Sequence, residues 1–163
     1  MSILHDAIFR RCKLYLGVSF AFGVIAFLSF SKGMPILITP LAASTCILFS
    51  VPNSRFARPK NVVFGHIISS AIGVAAWHLF GMNWFVSACS VALAVAAMDV
   101  TDTMHPPAAA TSLIAVTTAQ GFDFILKPVA LGAGLLVLVA ELVKFSFNDA
   151  RSPGQEDPKS LDD

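Results

Sequence analysis

Charge in this chain is held mostly to short breaks between long apolar runs, and that arrangement constrains the fold more than any other feature. The runs cover residues 14–31, 36–51, 62–80, 84–98, 104–118 and 125–147. Hydrophobic side chains make up 56% of the 163 residues and charged ones 13%, where a soluble domain carries about a quarter charged. The composition therefore predicts an integral membrane protein built of apolar helices. A formal net charge of +1 offers nothing to nucleic acid, and no basic-aromatic interleaving or nucleic-acid motif is present. Cys12, Cys46 and Cys89 form an odd set without paired spacing and read as small hydrophobes rather than as disulfide or metal ligands.

Two of the runs echo one another. Residues 39–51 (TPLAASTCILFSV) recur sixty-six positions later as residues 105–117 (HPPAAATSLIAVT). Pro40, Ala42, Ala43 and Thr45 fall on Pro106, Ala108, Ala109 and Thr111, and the same offset lays 14–31 on 80–97 and 62–80 on 128–146. The predicted organisation is thus an N-terminal cytoplasmic segment, 1–13, with a short surface helix over 2–12. A transmembrane region, 14–147, follows as two repeats, 14–80 and 80–146, and a disordered cytoplasmic tail, 148–163, ends the chain. The basic start without a small-residue cleavage site reads as a retained signal anchor.

The middle segment of each repeat is too short for an ordinary span. Sixteen residues, 36–51, reach about 24 Å as a helix, against a hydrocarbon core of about 30 Å. Six crossings with both termini inside put Arg10, Arg11, Lys13, Arg55, Arg58, Lys60, Lys144, Arg151 and Lys159 in the cytoplasm, leaving only Lys32 and Lys127 outside. Making the two short segments re-entrant would move Arg55, Arg58 and Lys60 outside and erase most of that bias. Charge favours six crossings, and three per repeat turns the second repeat upside down relative to the first. The predicted fold is all-α, six transmembrane segments in two inverted three-helix repeats, the middle helix of each short or discontinuous. Such a protein belongs in a bacterial inner membrane.

Proline costs nothing at the first helical position, because the missing N–H has no partner there in any case. Thr39-Pro40 and His105-Pro106-Pro107 therefore read as helix starts within or near the bilayer, whose free amides need protein, water or a ligand. The N-terminus of a helix favours an anion by roughly 0.3 to 2 kcal/mol. Ala42, Ala43, Ala108 and Ala109 would leave the backbone open, and Ser44, Thr45 and Thr111 could complete the shell of a small anion. The competing reading is that small residues and hydroxyls simply let helices pack. His105, with a reference pKa of about 6.5, could cap its helix, assist the anion or pass a proton. Asp99, Asp102 and His66 are further proton-coupling candidates, although the acids also suit helix caps and His66 suits packing. Arg58 and Lys60 would form a cytoplasmic funnel. Glu141 and Lys144 read as an interfacial pair, and Trp77, Phe80, Trp84 and Phe85 as markers of the outer surface.

Two motifs carry a family resemblance. The run Met104-His105-Pro106-Pro107-Ala108-Ala109-Ala110-Thr111 resembles the signature of the HPP family of small integral membrane proteins. Ala57-Arg58-Pro59-Lys60-Asn61, leading through Gly65-His66 to Gly73, is similar to that family's proline-basic-asparagine loop with its glycine-histidine pair. The likeness covers residues 14–147 and implies a multi-span membrane protein with plastid and cyanobacterial relatives associated with nitrite transport. Arg58 stands where glutamine is common, and Phe64 where glycine is frequent.

The expected function is a membrane transporter or channel for a small inorganic anion, nitrite first, with no cofactor or metal and no catalytic residue, since no HExxH, GxSxG, CxxC or P-loop motif occurs. Two alternatives stay open: a non-transporting membrane module that binds a ligand or partner through its loops, and a proton- or cation-linked channel using Asp99, Asp102 and His105. The expected partners are the anion and the lipid bilayer. Self-association into a homo-oligomer is a further expectation for so small a chain.

Overall fold

The computed structural model describes residues 2–33 and 38–148, and within them it is helical, with no strand. The expected tail lies almost wholly outside the described residues. Six α-helices follow in order: α1 (Ser2–Lys32), α2 (Thr39–Ser50), α3 (Pro59–Phe80), α4 (Trp84–Val100), α5 (Pro106–Thr117) and α6 (Leu131–Asn148). Among the described residues, three stretches are long and apolar enough to cross a bilayer: Arg11–Ser31, Pro59–Phe80 and Ile125–Phe145.

Helix α1 corrects one expectation. A separate surface helix over 2–12 does not form, because nothing in that segment interrupts a helix. It has no proline and no glycine, and Arg10, Arg11 and Lys13 are good helix formers. The 31 residues run as one rod of about 46 Å, longer than the hydrocarbon core.

The other boundaries follow local chemistry. Pro40 and Pro106 each stand in the first turn of a 12-residue helix, about 18 Å long. Helix α2 ends at Val51, which precedes Pro52 and is pushed out of the helical region (φ −134°, ψ 58°). A single 3-10 turn, Arg55–Ala57, then leads into α3. Gly81 ends α3 at φ 72°, where a side chain would be strained. The Asn83 side chain accepts from the Val86 N–H at 2.9 Å and caps α4. The run 125–147 is not one straight helix: residues Ile125–Ala130 are distorted about Lys127 (φ −128°, ψ 114°), the residue before Pro128. Lys144 pairs with Glu141 at 2.7 Å, three positions apart on α6.

The helices pack as two triads. Helix α3 lies against α4 and α5, which also touch each other; α1, α2 and α6 touch one another in the same way. Contacts between α2 and α5, and between α3 and α6, join the two groups. Ala21, Ile25, Leu41, Leu48, Ala133 and Leu136 fill the second triad.

Glycine lets α3 pack closely on α5. Gly65, Ser69 and Gly73 recur every fourth residue on the buried face of α3. A β-carbon on Gly73 would stand 2.5 Å from the Ser112 carbonyl oxygen, and one on Gly65 would stand 3.0 Å from that of Thr103. Ser69 Oγ accepts from the Ser112 N–H at 3.2 Å. Since Gly65 meets His105 and Gly73 meets Ser112 and Ala115, α3 and α5 run parallel. His105 therefore sits level with Gly65, about 9 Å beyond the start of α3. The start of α5 is carried inward, below the end of the bundle.

Candidate functional site

Ser44, His66, His105 and Thr111 are each fully buried and form one hydrogen-bonded chain. Helix α2 brings Ser44, α3 brings His66, and α5 brings Thr111 with His105 just ahead of its first turn. Ser44 Oγ lies 2.8 Å from His66 Nε2 and 2.8 Å from His105 Nε2. His66 Nδ1 meets Thr111 Oγ1 at 2.8 Å, and His105 Nδ1 meets the Phe56 carbonyl oxygen at 2.7 Å. The two imidazole centroids are 5.3 Å apart, with the rings tilted by 60°.

The directions of these bonds can be assigned from one fixed end. A carbonyl oxygen only accepts, so His105 Nδ1 carries a proton and donates to Phe56. With His105 neutral, its Nε2 is an acceptor and takes the Ser44 O–H. Ser44 Oγ then accepts from His66 Nε2–H, and His66 Nδ1 takes the Thr111 O–H. Every polar atom in the chain is satisfied, as a buried polar network requires.

The surroundings hold His105 in place. Asn61 Nδ2 donates to the Met104 carbonyl oxygen at 3.1 Å, tying the first turn of α3 to the residue before His105. Thr101 and Thr103 hydroxyls meet at 2.7 Å in the same link, where Asp102 takes a left-handed backbone (φ 49°). Asp102 is paired with Lys60 at 3.6 Å, both side chains largely exposed. An exposed pair of that kind contributes about 0 to 1 kcal/mol, so it marks the neighbourhood more than it stabilises it.

Residues singled out in the sequence divide sharply. Pro40, Ser44, Thr45, His105, Ala108 and Thr111 are buried, while Thr39, Ala42, Ala43 and Pro106 are exposed, and Pro107 and Ala109 lie between. Helical periodicity explains the split on α2: Pro40, Leu41, Ser44, Thr45 and Leu48 form its buried stripe, which turns Ala42 and Ala43 to the other face. Thr45 Oγ1 donates back to the Leu41 carbonyl at 2.8 Å and does not join the chain. His105 stands at the N-cap of α5 but makes no capping bond, because its Nδ1 is engaged by Phe56. Asp99 and Asp102 are exposed, and no hydrogen bond among the described residues links them to either imidazole. Arg58 is the exposed N-cap of α3. The carbonyl of Phe56 had no sequence signal, since a main-chain acceptor looks alike at every position.

The chain is 37% identical over 127 residues to one transmembrane protein of Dictyostelium discoideum, and 37% identical over 115 residues to a second. These matches take in 73% and 66% of the chain but only 44% and 37% of the relatives' lengths, so the chain spans less than half of either. No solved structure matches it. The family model described as HPP, transmembrane region, matches residues 5–153, which take in all six helices but for the first residues of α1. The protein belongs to the HPP transmembrane family, and the histidine of its His105-Pro106-Pro107 run lies in the buried polar chain.

Proposed function

We propose that this protein carries a small inorganic anion across a membrane, as a transporter or channel, with nitrite the first substrate to test. The observation that carries the reading is the buried polar bridge from Ser44 to His66 and His105, where two short proline-started helices meet. Polar groups that can ionise are expensive within a bilayer, so a cluster of them there argues for a functional site. The family resemblance supplies nitrite as the candidate.

The reading includes six crossings in two inverted repeats, and the packing supports it. Under the sixty-six-residue correspondence α1 maps to α4, α2 to α5 and α3 to α6. The neighbours exchange in step: α4 and α5 hold α3, and α1 and α2 hold α6. Each triad thus takes two helices from one repeat and its third from the other. Contacts between α2 and α5 and between α3 and α6 then lie on the pseudo-symmetry axis, where substrate sites of inverted-repeat transporters lie.

A proton-linked passage is the second reading, favoured by the unbroken run of hydrogen bonds through two imidazoles. Uptake of labelled nitrite into proteoliposomes tests the first. Intact protein should give protein-dependent flux, and His105→Ala should lower it about tenfold or more, the loss of roughly one charge-assisted hydrogen bond. Flux no higher than in empty liposomes overturns the assignment; proton currents without anion flux favour the second reading.

A further inference from the structure

We infer that His66, Ser44 and His105 form a proton-holding site, in which the Ser44 hydroxyl turns between two acceptors so that one arrangement of heavy atoms accommodates either of two protonation states. The inference rests on bond direction. In the neutral state the Ser44 O–H points to His105 Nε2 at 2.8 Å. A second acceptor for the same hydrogen, the Pro40 carbonyl oxygen, lies 3.0 Å away on the preceding turn of α2. When a proton joins His105 Nε2, that nitrogen becomes a donor to Ser44 Oγ and the serine hydrogen swings to Pro40. Ser44 then accepts from both Nε2–H groups and donates once, His105 still donates to Phe56, and Thr111 still donates to His66. No buried donor loses its acceptor and no helix has to move.

Protonating His66 instead does not close in this way. Its Nδ1 would become a donor to Thr111 Oγ1, and the threonine hydrogen would lose its acceptor, since the Thr111 hydroxyl makes no other hydrogen bond among the described residues. The geometry therefore places the held proton on His105. Relay through the same serine needs one further step: with a proton on His66 Nδ1, the Nε2–H bond breaks as an O–H bond forms at Ser44, the original Ser44 O–H breaks as an N–H bond forms at His105 Nε2, and His66 is left neutral with its hydrogen on Nδ1. His66 must then regain its Nε2–H tautomer before Ser44 can accept from both rings.

The far end of the chain is closed. The Phe56 carbonyl cannot take up a proton at ordinary acidity, so a charge on His105 does not pass on toward the 55–57 turn while that bond stands. The site stores a proton rather than conducting it, and release on the Phe56 side needs His105 and Phe56 to part. Few other ionisable groups are near. Helix α3 supplies Lys60 at its exposed start, the 55–57 turn supplies Arg55 and the adjoining Arg58, α4 and the following link supply Asp99 and the Lys60-paired Asp102, α2 supplies only exposed Cys46, and α5 supplies none. As a proton site the trio stands apart from any transported ion; as a coupling device it rests on the transport reading.

Full-length protein with nitrogen-15-labelled histidine, in lipid bilayers, tests the proton site by ring-nitrogen NMR, with His66→Gln and His105→Gln used for assignment. At alkaline pH the two rings should be opposite tautomers, His105 bearing hydrogen on Nδ1 and His66 on Nε2. On acidification His105 should become doubly protonated while His66 stays neutral. Ser44→Ala, which removes the acceptor of both Nε2–H groups, should make double protonation of His105 need more acid by about one pH unit or more, and Ser44→Thr, which keeps the hydroxyl, should restore it. Two rings in the same tautomer at alkaline pH, a first proton on His66, or protonation of His105 at unchanged acidity in Ser44→Ala would overturn the inference. Nitrite uptake by the same preparations reads the transport proposal separately: flux without the tautomer pattern rejects the proton site alone, and the pattern without flux rejects transport alone.

Discussion

A single amide, that of Asn61, connects the start of α3 to the loop that presents His105. It is buried and donates to the Met104 carbonyl oxygen. Asn61→Leu fills a similar space but leaves that carbonyl without its donor, which should cost about 1 to 3 kcal/mol. Thermal unfolding in detergent would show it as a lowered midpoint, and an unchanged midpoint would mean that water takes over the bond. Asn83→Ala, which removes the cap of α4, should cost about 0.5 to 2 kcal/mol by the same measurement. At this scale the sequence was only partly legible. His105 and Ser44 stood out through the duplicated proline segments, but the choice of Ser44 over Thr45, and of Thr111 over Ala109, depends on which side chain each helix turns toward the two histidines. Asn61 and Asn53 occupy the same polar break, yet Asn61 is buried and Asn53 exposed.

At the scale of the element, close contact between α3 and α5 sets the depth of the site. Gly73 and Gly134 make a matched comparison, since a β-carbon at Gly73 would collide with the Ser112 backbone and one at Gly134 meets nothing within 4 Å. Gly73→Ala should force the helices apart and destabilise by about 1 to 3 kcal/mol. Gly134→Ala, on an open face of α6, should be neutral or stabilising by up to about 1 kcal/mol through helix propensity. Equal effects of the two changes on the unfolding midpoint would show that α3 and α5 do not pack this tightly. Element boundaries were readable where a local rule applies: proline starts α2 and α5, and the break after residue 80 separates α3 from α4. The reading failed where the rule is an absence, as in α1, where nothing stops the helix between the predicted surface segment and the first span. It failed again at Lys127, whose place before Pro128 breaks an otherwise apolar run.

For the whole molecule, the consequence to test is sidedness. In a variant lacking native cysteines, Asn53→Cys in the α2–α3 link and Met82→Cys in the α3–α4 turn are both exposed positions. Six crossings with the N-terminus inside predict that an impermeant thiol reagent added outside intact cells labels Met82→Cys and leaves Asn53→Cys untouched. Outside labelling of Asn53→Cys would instead mean that α2 enters and leaves on one face.

Membrane residence, helical class, family and the two proline-started segments were all written in local order along the chain, because hydrophobic run length, proline and glycine act on their own neighbourhood. The meeting of Ser44, His66 and His105 was not, because those side chains lie 22 and 61 positions from the serine and come together only through the way α2, α3 and α5 pack. Burial face, helix depth and hydrogen-bond direction are properties of that packing, and they turn three scattered polar residues into one connected site.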